Sequence, residues 1–293
     1  MERNIILGTD WWTDCDDIAA VRILCRAHKR GLWTFRGAVL DACMPYSVPS
    51  LNAFLTSEGL GDLPIAVDSD ASDFSGNLSP YQENMVKSLP HRMQRNEEAE
   101  PPVPFLKRIL ADCPDGTAEL IEIGFPQVWA ALLKDPEGSD LVGRKVRRMW
   151  MMAGRWDNGG RGFEHNIANN ARSREGAAYV LEHFPKPVVF LGWEVGADVI
   201  SGGDPENDAD PLVRAFRDHG SPRGRSSWDP MTVLLALAED PEKAGYSIRR
   251  GWASADPATG ENSFRYDETG PHAYVVRERP AAWYEEELSR WLR

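Results

Sequence analysis

Residues 4–17 read Asn4-Ile5-Ile6-Leu7-Gly8-Thr9-Asp10-Trp11-Trp12-Thr13-Asp14-Cys15-Asp16-Asp17. The apolar run Ile5-Ile6-Leu7 has the look of a buried strand that stops at Gly8. Four carboxylates follow within eight residues, Asp10, Asp14, Asp16 and Asp17. From Ile18 the spacing turns helical, with Val21, Leu24 and Cys25 on the same face. Strand, acidic loop and helix make a site architecture, because open α/β sheets bind ligands beyond the carboxyl ends of their strands. Like charges this close repel one another unless a cation neutralises them or some stay protonated. Oxygen donors alone suit a hard cation, Ca²⁺ or Mg²⁺. Helix capping by Asp16 or Asp17 is the plainer reading of an Asp before a helix. Two Trp within the cluster, and its place directly after a strand, favour a site.

Outward from this stretch the pattern alternates. Strands are expected at Trp33 to Leu40, Leu63 to Val67, Ala118 to Gly124, Lys145 to Met152 and Pro187 to Leu191. Helices are expected at Ser47 to Ser57, Val103 to Ala111, Gln127 to Leu133, Arg174 to His183, Pro211 to His219 and Met231 to Ala238. This alternation predicts βαβ units: an open, mostly parallel, Rossmann-like α/β sheet flanked by helices, in a single domain over residues 1–293. Short strand-like runs between Tyr246 and Val276 predict small C-terminal hairpins after the main sheet, and Ala281 to Leu292 a last amphipathic helix. Residues 68–102 are polar with poor apolar periodicity, which reads as a variable loop or lid.

Composition narrows the function classes. Apolar content of 42% and charged content of 27% are those of a globular protein. The formal charge of −12 argues against nucleic acid or an anionic membrane as partner. No apolar run approaches the length of a membrane span, and the start Met-Glu-Arg-Asn lacks a signal peptide's apolar segment. Four cysteines with neither CxxC spacing nor a disulfide framework read as reduced thiols in a cytoplasmic protein.

The opening stretch resembles the N-terminal signature of the inosine-uridine-preferring nucleoside hydrolases, D-x-D-x-G-x-D-D after the first strand. Asp10 matches its second Asp, and Asp16-Asp17 its closing pair. Gly8 stands where the first Asp belongs, and the loop between Asp10 and Asp16 is two residues longer. Asp14, in that insertion, is the carboxylate expected to take over part of the missing one's work. Further on, Gly124-Phe125-Pro126-Gln127-Val128-Trp129-Ala130 is similar to the family's G-P-L-T-N-x-A turn, where a backbone carbonyl binds the metal, and Gln127 is its equivalent. Asn158, Glu164 and Asn166 match the family's ribose-binding Asn loop and E-F-N. Asp229-Pro230 matches H-D-P, with Trp228 in place of the His.

The resemblance implies an N-ribosyl hydrolase with a tightly held Ca²⁺, acting on a small-molecule riboside as a homodimer or homotetramer. Asp10 would ligate the metal and serve as general base on a metal-activated water. Asp17 and Asp229 would be further metal ligands, with Gln127. Asp16, Asn158, Glu164 and Asn166 would hold the ribose, and Trp228 would stack on the base. From the residues alone, Asp229 is also an N-cap with Pro at N1. Two other classes stay open. One is a catalytically inactive riboside-binding protein, suggested by Gly8, Trp228 and the longer loop. The other is a metal-dependent phosphohydrolase of the haloacid-dehalogenase type, disfavoured because Gly8 occupies the place of its nucleophilic Asp.

Overall fold

Nine strands hydrogen-bond into one twisted layer, and the site lies beyond its middle. The computed structural model describes residues 2–12, 14–74, 76, 79–204 and 206–293. In chain order the strands are β1 (Asn4–Thr9), β2 (Thr34–Leu40), β3 (Ile65–Val67), β4 (Ala118–Glu122), β5 (Val146–Met152), β6 (Val188–Leu191), β7 (Ile200–Ser201), β8 (Arg225–Ser226), β9 (Tyr246–Ala255), β10 (Asn262–Tyr266) and β11 (His272–Arg277). The main sheet runs β10-β9-β11-β6-β5-β4-β1-β2-β3, and β7 and β8 pair separately. Strands β1 to β6 pair in parallel, as the alternation predicts.

The helices are α1 (Asp16–Lys29), α2 (Ser47–Ser57), α3 (Tyr81–Ser88), α4 (Pro102–Asp112), α5 (Gln127–Lys134), α6 (Pro136–Lys145), α7 (His165–Ala168), α8 (Ala171–His183), α9 (Trp193–Gly196), α10 (Pro211–Asp218), α11 (Trp228–Ala238) and α12 (Ala281–Leu292). Successive strand residues face opposite sides. Ile5 and Leu7 of β1 therefore join a core with α1, α2, α11 and α12, whereas Ile6 joins one with α4, α5, α6 and α8. Among the described residues no helix is long and apolar enough to cross a membrane.

Four readings of the sequence need correction. Strand β1 does not stop at Gly8 but continues to Thr9, because Gly8 and Thr9 stay in parallel register with Val39 and Leu40 of β2. Asp135-Pro136 does follow the end of α5 at Lys134, as a helix stop should, but no loop begins there. The pair opens α6, with the Asp135 carboxylate accepting from Gly138 N and Pro136 in the first turn, where its missing N–H costs nothing. The C-terminal strands form the expected antiparallel pairs, but these belong to the main sheet: β11 pairs in parallel with β6, and β9 and β10 extend the same layer.

The fourth correction concerns 68–102, which is not featureless. It contains α3, whose Tyr81, Gln82 and Met85 are buried. The Tyr81 hydroxyl and Gln82 Nε2 both donate to the Trp11 carbonyl, at 2.8 and 2.5 Å, so this segment is tied to the acidic loop. Phe74 stacks on Phe125 at 3.8 Å. Residues 75, 77 and 78 of the expected lid, and Thr13 of the insertion, lie outside the described residues.

Candidate active site

The acidic loop leaves β1 in a constrained shape. Trp11 has φ of +50°, the left-handed region that side chains other than glycine rarely adopt. Its indole is wholly buried, donates to Ser50 Oγ at 2.9 Å and packs on Phe54 and Tyr81. The surrounding contacts thus fix a backbone conformation that would otherwise relax. Trp11 N then donates to Asp17 Oδ1 at 3.1 Å, and the Thr9 hydroxyl donates to the same oxygen. Asp10 Oδ1 accepts from Trp12 N at 3.2 Å.

Helices α1 and α11 pack side by side, which brings their N-terminal ends together. Asp16 and Asp17 stand in the first turn of α1, and Asp229 in the first turn of α11. The capping readings are not what these residues do. Cys15 and Ser227 occupy the N-cap positions, and neither makes a side-chain capping bond. Asp16 Oδ2 instead accepts from the backbone N of Asp229 across the helix pair, at 3.1 Å. Oxygens of Asp16, Asp17 and Asp229 lie within 4.8 Å of one another, and all three residues are buried. The positive ends of both helix dipoles favour negative charge there.

The electrostatics are those of an uncompensated acidic centre. Burial, and then the charge of Asp17, hold the Asp10 carboxyl well above the usual carboxylate range. Burial raises Asp16 likewise, followed by the charge of Asp14, and raises Asp229, followed by Asp16. Asp17 is pushed up to about 7 by burial, against the bonds from Thr9 and Trp11.

These residues line one cavity of about 300 Å³ at the carboxyl ends of β1, β4, β5 and β6. Its wall comprises Asp10, Trp12, Asp14, Asp16, Asp17, Ile123, Met152, Glu164, His165, Asn166, Trp193, Arg225, Trp228 and Asp229. Glu164 caps α7: Oε1 accepts from Asn166 N at 2.8 Å and Oε2 from Gly154 N at 3.0 Å. Burial still raises it to about 7. Asn166 Nδ2 donates to the carbonyls of Ile123 (3.3 Å) and Met152 (3.1 Å), which fastens α7 to the ends of β4 and β5. Trp228 donates its indole N–H to the Trp193 carbonyl at 2.6 Å, and the two rings lie 6.4 Å apart at 30°.

Eight of the ten residues singled out in the sequence therefore meet: Asp10, Asp14, Asp16, Asp17, Glu164, Asn166, Trp228 and Asp229. Asn158 is not brought in. It is exposed in the turn at 157–160. Gln127 is not a wall residue either. It is buried behind the site, its Nε2 donating to the Asp41 carbonyl at 2.6 Å and to Asp68 at 3.3 Å. Asp14 is held in an ion pair, both of its oxygens 2.9 Å from Arg225 Nε. Trp12, Ile123, Met152, His165, Trp193 and Arg225 were not foreseen. His165 sits between the two matched residues of its motif, which was a usable signal, whereas nothing local marked Arg225.

No family model and no curated protein matches the sequence. Solved structures are similar to the chain. A purine-preferring ribonucleoside hydrolase from Gardnerella vaginalis is 15% identical, covering 99% of this chain and 98% of its own, with a TM-score of 0.69. The inosine-uridine preferring nucleoside hydrolase from Bacillus anthracis is 13% identical over 100% and 99%, also with a TM-score of 0.69. The type III effector protein XopQ, solved with adenosine diphosphate ribose, is 16% identical over 100% and 92%, with a TM-score of 0.67. The chain has the fold of the nucleoside hydrolases, from end to end.

Proposed function

We propose that this protein is a divergent nucleoside hydrolase that cleaves the N-glycosidic bond of a ribonucleoside or related N-riboside with a water molecule and a bound Ca²⁺. The observation that carries the reading is the convergence of Asp10, Asp16, Asp17 and Asp229 where β1 ends and two helices begin. The residues fit such an ion. All the side-chain donors are oxygens, which suits a hard cation, and their mutual repulsion is what a divalent charge offsets. Asp10, Asp17 and Asp229 would hold it, with Asp16 close enough to share. Gln127, matched through its backbone carbonyl, is not among the residues lining the cavity and is left out of this set. When bound, the ion supplies charge neutralisation and lowers the pKa of a water to the range where a carboxylate can act as base.

The chain's own residues do the rest. Asp10 takes the proton of the attacking water as it approaches C1′, where the centre is oxocarbenium-like. Asp16, Glu164 and Asn166 bind the ribose hydroxyls, which both donate and accept. Trp228 and Trp193 flank the leaving base. An indole has no acidic proton to give, and that of Trp228 is spent on the Trp193 carbonyl. We assign proton delivery to His165, an imidazole in the cavity wall. Desolvation lowers its pKa, which makes the protonated form a stronger acid and leaves less of it at neutral pH.

The adenosine diphosphate ribose bound to XopQ raises a phosphorylated riboside as substrate. The cation in the cavity wall is Arg225, and Asp14 already pairs with it, so a neutral riboside is the better match. We read the enzyme as cytoplasmic and as homo-oligomeric, the latter testable by sedimentation velocity. The decisive experiment incubates the protein and Ca²⁺ with a panel of purine, pyrimidine and nicotinamide ribosides and measures ribose release. Binding of a riboside without release would favour the inactive riboside-binding protein.

A further inference from the structure

The gap left by Gly8 is filled from the neighbouring strand. Gly8 and Glu122 are register partners in the parallel pair β1–β4. Registered residues on parallel strands face the same side, so the two side chains compete for one volume. A Cβ built at Gly8 would overlap Glu122 Oε2 and come within 2.9 Å of its Cδ and 3.1 Å of Trp129 Nε1. Glu122 can lie as it does only because position 8 is glycine.

A carboxylate in this position is unusual. A central parallel strand buried on both faces is normally apolar, and a buried carboxylate is costly unless it is bonded. Glu122 is fully buried. Oε1 accepts from Gly124 N at 2.6 Å, and Oε2 from Trp129 Nε1. The first of these bonds leads to the site. A Cβ at Gly124 would overlap the backbone N of Asp10 and lie 2.5 Å from Asp41 Oδ1, so this turn packs directly on the backbone of Asp10. One residue earlier, the Ile123 carbonyl receives Asn166 Nδ2 at 3.3 Å. Holding Gly124 therefore sets both Asp10 and Asn166.

We infer that Glu122 is a positioning residue, the carboxylate that takes the place of a side chain at position 8 and aligns Asp10 and Asn166 through the Gly124 turn. Its effect on turnover rests on the hydrolase reading, whereas the exchange between positions 8 and 122 does not.

The test compares Glu122→Ala, Glu122→Gln, Gly8→Asp and the double variant Gly8→Asp/Glu122→Ala with the wild type. The readouts are melting temperature, Ca²⁺ affinity and steady-state rates on a riboside. Gly8→Asp alone is expected to melt several degrees lower or to fail to accumulate, since two carboxylates cannot share the volume. Glu122→Ala is expected to fold, with Ca²⁺ affinity and kcat reduced about 10- to 100-fold and KM little changed. Glu122→Gln keeps an acceptor for Gly124 but sets an N–H against that of Trp129, and falls between. The double variant should melt above Gly8→Asp and regain most of the lost affinity and rate.

Wild-type Ca²⁺ affinity and kcat in Glu122→Ala would overturn the positioning role. A double variant that melts no higher than Gly8→Asp would overturn the exchange. A wild-type protein that neither binds Ca²⁺ nor turns over any riboside sinks the hydrolase reading instead, and the melting comparison still decides the exchange.

Discussion

The pH dependence of stability without metal is the sharpest consequence of the acidic centre. Burial raises Asp17 from 3.8 to about 7. A folded pKa above the unfolded one means that the native state binds more protons between those values. Stability is then fully present below pH 4 and is lost as pH rises through 7. At about 1.4 kcal/mol per pKa unit, Asp17 alone withdraws about 4 kcal/mol across that window. For a chain of this size, roughly 2–4 °C per kcal/mol converts this to a fall of about 10 °C in melting temperature. Glu122 and Glu164, both pushed up from 4.5 to about 7 by burial, act in the same direction. A cation that binds only the folded state at about 1,000 times its Kd contributes about 4 kcal/mol in return. Between pH 5 and pH 8 about two of those pKa units remain, so chelator-treated protein should melt about 5–10 °C lower at pH 8 than at pH 5, and Ca²⁺ should remove most of that difference. Differential scanning calorimetry at both pH values, with and without Ca²⁺, measures it. A chelated protein whose melting temperature is flat or rises from pH 5 to 8, or that Ca²⁺ does not stabilise at pH 8, would refute the reasoning.

Other expectations follow from single residues. Asp10→Asn should lower kcat by at least ~10²-fold, the scale of a lost general base, and weaken Ca²⁺ binding, as steady-state rates and a metal titration would show. Asp14→Asn, which breaks the pair with Arg225, should weaken Ca²⁺ binding or turnover by only about 10- to 100-fold, and a metal titration that matches wild type would make Asp14 a rim residue. His165→Gln should slow ribosides with poor leaving groups by about 10²-fold or more and spare those with good ones, a difference read from rates across a series of leaving groups. Limited proteolysis near residues 68–102 should slow when a riboside is added, whereas protection in both states would count against closure of this segment.

What could be read from the chain divides along physical lines. The parallel sheet was legible because β1, β2 and β5 each hold a short apolar run, Ile5-Ile6-Leu7, Ala38-Val39-Leu40 and Met149 to Met152, and α2 and α12 space apolar residues at helical intervals. Asp10, Asp16 and Asp17 were legible as a cluster because they are neighbours in the chain. Glu122 was not, although an acid at the end of the apolar run Leu120-Ile121 was a signal that something else occupied its surroundings. Gly8 reads as a strand end because glycine weakens a strand interior, whereas in the fold it leaves room for Glu122 across the sheet. Helix α6 was missed because Gly138 and Gly143 interrupt its pattern and its opening Asp-Pro resembles a stop. Arg225 and Trp193 reach the cavity through tertiary packing alone, and no local pattern carries that information.

The stacked indoles of Trp193 and Trp228 also give the protein a built-in optical signal. Of the other tryptophans, Trp12 also lines the cavity, whereas Trp11, Trp33, Trp129, Trp150 and Trp156 are buried away from its wall, where a ligand changes little around them. This pair lies at the cavity, 6.4 Å apart and inclined by 30°, with Arg155 over one ring and Arg225 over the other. Chromophores this close share their excited states, and a bisignate band in the near-ultraviolet circular dichroism is the expected signature. A heterocycle sliding against either ring would reshape that band and quench the emission of the pair, so that occupancy can be followed in unlabelled protein even where no bond is cleaved.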